Sequence, residues 1–157
     1  MKERIAILKS EIDRDYKRLT VLFHRFDKSY SEFLSSDEYS KLVESAYYVS
    51  QIYSGFESIF KNIARTFENN IEQDTWHKSL LERISLDIEG IRPALLSEES
   101  FQCLNELRAF RHFFRHAYGI DIHKEKFKIV ADKVAVIQDI SKGEVAKFID
   151  FLNQLLV

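Results

Sequence analysis

This chain of 157 residues has little that breaks a helix: one proline and four glycines. Long helices joined by short turns should therefore dominate. It has a single cysteine, Cys103, which excludes a disulfide framework and a cysteine-based metal cluster. No apolar run approaches the ~20 residues that a membrane-spanning helix needs. The opening Met1-Lys2-Glu3-Arg4-Ile5 carries no apolar stretch of the secretory-signal kind. The expectation is a cytoplasmic protein. An excess of positive charge is also missing, since the formal net charge is −2. Any binding of nucleic acid must then come from a local patch, not from the surface as a whole.

What is present is an ordinary folded composition, 45% apolar and 31% charged, which argues against disorder. The length suits one domain over 1–157 and allows a sizeable core. Thirteen Phe and seven Tyr make that core one of large rings. Helical periodicity supports this reading. Ile5, Leu8, Ile12, Tyr16, Leu19, Phe23 and Phe26 share one face and predict a first helix from Lys2 to about Phe26, followed by a serine-rich turn in which Ser35 or Ser36 caps the next helix. Leu42, Ala46, Val49, Tyr53, Phe56, Phe60, Ile63 and Phe67 alternate steps of four and three. That seam predicts a long second helix over about 37–68, nearly parallel or antiparallel to its neighbours, with Gly55 allowing a close approach.

Asn69-Asn70 and Asp74 interrupt the pattern. A short third helix is predicted over about 75–88, capped by Asp74, burying Trp76, Leu80, Leu81 and Ile84, and ended by Gly90. Ser97 before Glu98 and Glu99 has the form of a helix start, with a cap and two acids at the positive end of the dipole. The fourth helix should run to about Tyr118 and stop at Gly119. The fifth should run from near Asp121 to the C-terminus, with Phe127, Val130, Val134, Ile137, Val145, Phe148 and Leu152 inward and a kink at Ser141 or Gly143. The expected fold class is all-α: an up-and-down bundle of four long helices plus one short one.

The local patch lies in the fourth helix. Residues 108–118 read Arg-Ala-Phe-Arg-His-Phe-Phe-Arg-His-Ala-Tyr, with three Arg and two His within nine residues. From Arg108 to Lys128 there are six Lys or Arg, two acids and three His, while the rest of the chain is net acidic. On a helical wheel with Arg108 at zero, Arg115, Arg111, His112 and His116 fall at about −20°, −60°, +40° and +80°. Phe113, Ala117, Phe110, Cys103, Phe114 and Leu107 fill the opposite sector. The expectation is a buried apolar face and an outward stripe of Arg and His, with Tyr118 on the side of Arg111.

Such a stripe suits a phosphodiester. Neutral His116 has the chemistry to take the proton of a ribose 2′-hydroxyl, and a second His to protonate the leaving 5′-oxygen. Arg111 can bind phosphate bidentately and stabilise charge building on its oxygens. Three other readings stand beside this one. The stripe could hold RNA or a nucleotide without turnover. It could be a solvated or protein-binding face, its arginines answered by carboxylates of another helix. His112 and His116, spaced i and i+4, also match half a helical zinc site, but no third ligand is evident. His77 reads most simply as a polar residue at a helix end.

Arg111, four residues, His116, one residue and Tyr118 match the R-x4-H-x-Y signature of HepT-type toxins, of the HEPN superfamily of helical RNases. Leu107 to Ala117, the stretch Asp74 to Leu81, Arg92-Pro93 and Leu96-Ser97-Glu98-Glu99 also resemble that group, and the likeness extends from the second helix to the C-terminus. The resemblance implies an endoribonuclease needing neither metal nor cofactor, with Arg111 and His116 catalytic, Arg108, His112 and Arg115 binding RNA phosphate, and tRNA or mRNA as substrate. It also implies a homodimer, and a partner: a minimal nucleotidyltransferase antitoxin that blocks the toxin by AMPylation of Tyr118. AMP beside Arg111 would occupy the place of RNA phosphate. The extra Arg108, His112 and Arg115 crowd the motif and leave open which His is the base. The antitoxin half itself is not in this chain, because no glycine is followed by serine in the loop such an enzyme requires.

Overall fold

The structure is a computed structural model that describes residues 1–68 and 76–157, apart from the side chain of Trp76. Five helices follow in order: α1 Lys2–Ser36, α2 Tyr39–Phe67, α3 Trp76–Ile84, α4 Glu98–His116 and α5 Lys124–Leu156. Among the described residues there is no strand, only an isolated bridge between Ile88 and Arg92. The expected Asn69-Asn70 break, the Asp74 cap and the burial of Trp76 lie outside the described residues.

Side chains at the helix ends fix the topology. Lys2 Nζ donates to the Val157 carbonyl at 2.9 Å, and Lys124 Nζ meets Asp37 Oδ1 at 3.3 Å. The two ends of α1 therefore sit at opposite ends of α5. Arg4 donates to the Arg65 carbonyl, which makes α1 antiparallel to α2 as well. The Ile122 amide, just past α4, donates to the Tyr39 hydroxyl at the start of α2, so α4 also runs against α2. These four long helices form an up-and-down bundle, and α3 packs on α2 and α4. The buried apolar residues of α1, α2, α4 and α5 join in one core of interlocked rings, with Phe26, Phe110 and Phe127 in contact across three helices.

The α1–α2 contact is the closest. A methyl group built at Gly55 would lie 2.7 Å from Leu19 Cδ2, so the missing side chain is what lets the helices approach. α1 is ten residues longer than its apolar pattern predicts. Its serines do not break it: Ser35 and Ser36 donate back to the Glu32 carbonyl, and buried Ser29 donates to Glu44 Oε1 at 3.0 Å. Tyr30 and Phe33 meanwhile continue the ring ladder from Phe26. The turn is Asp37 at φ 56° and Glu38, whose amide donates to Ser36 Oγ.

α3 ends at Ile84, short of the expected 88. The Arg92 guanidinium folds under it and donates to the carbonyls of Arg83, Leu86 and Pro93, while pairing with Glu68. Ser97 caps α4 as expected, accepting from the Ser100 amide at 3.2 Å. α5 starts three residues later than expected and is continuous through Ser141 and Gly143. All seven of its expected inward residues are buried.

Candidate functional site

α4 lies on α2 with its last two turns over Tyr53, Ser54 and Glu57. The buried residues of α4 are Ser100, Cys103, Leu104, Leu107, Phe110 and Arg111. The wheel expectation was therefore rotated. Leu104 and Ser100 draw the buried sector toward Arg111, and Phe113 on the far edge is 37% exposed. Arg111 is 4% exposed and faces α2, which corrects its placement on the outward stripe.

The Arg111 guanidinium already has an anion. Its two terminal nitrogens donate to Glu57 Oε1 at 3.3 Å and Oε2 at 3.1 Å, and one also donates to Ser54 Oγ at 3.2 Å. Its carbon sits 4.5 Å from the centre of the Tyr53 ring, so the cation lies on a π face. The Glu57 side chain is only 5% exposed, as is that of Arg111. Burial pushes the Glu57 carboxyl up, but hydrogen bonds and charge from Arg111 and His77 outweigh it and hold the carboxyl below its ordinary value. Lys61 Nζ adds a weaker contact at 3.5 Å. Below the pair, burial pushes the Tyr53 hydroxyl well above its usual range, with the Glu57 charge adding to it.

The other motif residues are distributed around this buried pair. Arg115 is exposed and reaches the same Ser54 Oγ at 3.5 Å, so one hydroxyl touches both arginines. Arg108 is half-buried and held along its own helix, donating twice to Asn105 Oδ1. His112 and His116 are both exposed, one helical turn apart, with ring centroids 4.6 Å from each other. α4 stops at His116, two residues before the expected end. Tyr118 follows in a turn closed by Gly119 at φ 71°, and its side chain is 99% exposed. The structure thus brings His112 beside His116 and ties Arg111 to Arg115 through Ser54, while Arg108 and Tyr118 join neither group.

The sequence reading missed Glu57, Ser54 and Tyr53, and set His77 aside. His77 Nδ1 lies 2.6 Å from Glu57 Oε2 and 3.4 Å from Arg111, so α3 contributes an imidazole to the same cluster. A signal for the pair exists in the sequence. Ser100, Leu104, Leu107, Arg111 and Phe114 alternate steps of four and three, and so do Ala46, Ser50, Tyr53, Glu57, Phe60 and Ala64. Each seam carries one charged residue, of opposite sign. No three His, Cys, Asp or Glu side chains converge as a metal site among the described residues. No helix among them is long and apolar enough to cross a membrane.

Comparison with known proteins places the chain. Residues 45–152 match the model of a family described as HepT-like protein, a span that holds α3, α4, the Glu57 cluster and every motif residue. No curated protein and no solved structure matches it.

Proposed function

The chain belongs to the HepT-like family, and on that premise we propose that it is the toxin of a toxin–antitoxin pair, a metal-independent endoribonuclease acting at the end of α4. The observation that carries this reading is the pair of exposed, touching imidazoles, His112 and His116, beside exposed Arg115, within the span that matches the family. His116 takes the proton of the 2′-hydroxyl, and the 2′-oxygen attacks the phosphorus. Arg115 and Arg108, with His112, bind the phosphate and the strand that flanks it. The neighbouring cations favour a neutral, basic His116.

Arg111 has a different part from the one its spacing suggests. With Glu57 across its fork, it works as a positioning residue that locks the last turns of α4 onto α2 and, through Ser54, steadies Arg115. In the same proposal, a partner nucleotidyltransferase transfers AMP to Tyr118. A hydroxyl on a 99% exposed ring just past the helix end is accessible to a second enzyme, and the added phosphate would lie near the cations that serve RNA. A second copy of the chain completes the cleft.

The test is incubation of the purified protein with total RNA in EDTA, wild type against His116→Ala. Cleavage by the wild type and none by the variant is the expected result. Equal cleavage by both overturns the assignment of His116. Intact RNA that is nonetheless bound in a salt-dependent way supports a binding module in its place.

A further inference from the structure

We infer that His77 is the proton donor to the leaving 5′-oxygen in the proposed cleavage, held in place by Glu57. This rests on the ribonuclease reading above and supplies the second histidine which that chemistry requires.

The geometry separates His77 from an ordinary helix-end residue. Its ring is tied at Nδ1 to a buried carboxylate, 2.6 Å away, yet its side chain is 50% exposed. Glu57 is itself anchored by Arg111 from α4, so a rigid element of each of two helices fixes one edge of the imidazole. Among the described residues, the charged groups facing the ring are Glu57 and, through it, Lys61 on α2, and Arg111 on α4. With Nδ1–H donating to Glu57, Nε2 is the nitrogen that exchanges a proton with a ligand. The Nδ1–H bond persists in both protonation states, so the ring can give up its Nε2 proton without turning. Arg111 precedes His116 by five residues, about 7.5 Å of helix rise, which places the Glu57–His77 unit on the same stretch of α4 as the exposed histidines.

The step balances without a co-reactant. His116 Nε2 accepts the 2′-hydroxyl proton as the 2′-oxygen bonds to phosphorus. The bond from phosphorus to the 5′-oxygen breaks, and that oxygen takes the Nε2 proton of His77. The products are a 2′,3′-cyclic phosphate and a 5′-hydroxyl, and solvent exchange returns the proton from His116 to His77.

The experiment compares His77→Asn and His77→Gln with the wild type on an RNA oligonucleotide containing the mapped cut. The amides preserve a hydrogen bond to Glu57 but cannot transfer the proton, and matching urea-unfolding midpoints verify the fold. The expected result is a loss of about 10²–10⁴-fold in single-turnover rate for both variants. When sulfur replaces the bridging 5′-oxygen at the cut, the leaving group needs no proton, and both variants should recover to within about tenfold of wild type, while His116→Asn stays inactive. Unchanged cleavage of ordinary RNA, or a loss that sulfur does not rescue, overturns the role of His77. Absence of cleavage by the wild type overturns the ribonuclease reading itself, and His77's role with it.

Discussion

Replacing Arg111 with alanine should damage the fold before it says anything about chemistry. The guanidinium and the Glu57 carboxylate are each 95% withdrawn from solvent at the side chain, within 3.1–3.3 Å of one another. Removing one partner of such a pair costs about 3–5 kcal/mol, because the other charge is left buried. His77 and Lys61 still touch Glu57, which favours the lower end. For a chain of this length, about 3 kcal/mol corresponds to a fall of roughly 6–12 °C in Tm.

The pH dependence gives a sharper test. In the wild type the Glu57 carboxyl lies below its ordinary value, so its contribution to stability is present above the unfolded pKa, about 4.3, and is lost as pH falls through the folded value. Without Arg111, burial prevails and the folded value rises above the unfolded one. The variant's Glu57 should then be tolerated below about pH 4 and cost stability as pH rises through the raised value. The Tm gap between wild type and Arg111→Ala should be small near pH 4 and widest near neutrality. The double variant Arg111→Met, Glu57→Leu should recover most of the loss, since an apolar pair of similar volume often replaces a buried ion pair at no net cost. Equal Tm values for wild type and Arg111→Ala at pH 7 would refute this description of the cluster. Loss of RNA cleavage in Arg111→Ala is uninformative until folding has been measured alongside it.

Two glycine substitutions should have opposite signs. Gly55→Ala puts a methyl group 2.7 Å from fully buried Leu19 and should lower stability by about 1 kcal/mol or more, whereas Gly143→Ala meets nothing within 4 Å and should raise it by about 0.5–1 kcal/mol through helix propensity; urea unfolding reads both. Tyr118→Phe removes a hydroxyl from a 99% exposed ring, so the unfolding midpoint should not move, while incorporation of labelled AMP by a cognate nucleotidyltransferase should vanish. Full labelling of that variant would move the modification elsewhere.

The bundle was legible because apolar periodicity is a local property. The seams of α2 and α5, the Ser97 cap and the role of Gly55 follow from neighbours a few residues apart. Where side chains from distant segments decide the outcome, the local reading erred. α1 passes through Ser29 because Glu44 on the next helix accepts its hydroxyl, and α3 stops early where Arg92 takes up its last carbonyls. Arg111 is the most consequential case. A lone guanidinium is expected outside because its burial is costly, and its partner lies fifty-four residues away on α2. The seam containing Arg111 and the seam containing Glu57 were both readable, but only their juxtaposition makes the burial of either tolerable. His77 was passed over for the same reason, since its significance comes from that carboxylate.

The central claim is that the exposed histidines at the end of α4 cut RNA, with the Arg111–Glu57 pair beneath them as support. End-group analysis of RNA incubated with the protein in EDTA tests it most directly. The expected result is new 2′,3′-cyclic phosphate and 5′-hydroxyl ends with the wild type and none with a folded His116→Asn variant. Intact RNA with the wild type, or the same new ends from both proteins, would contradict it.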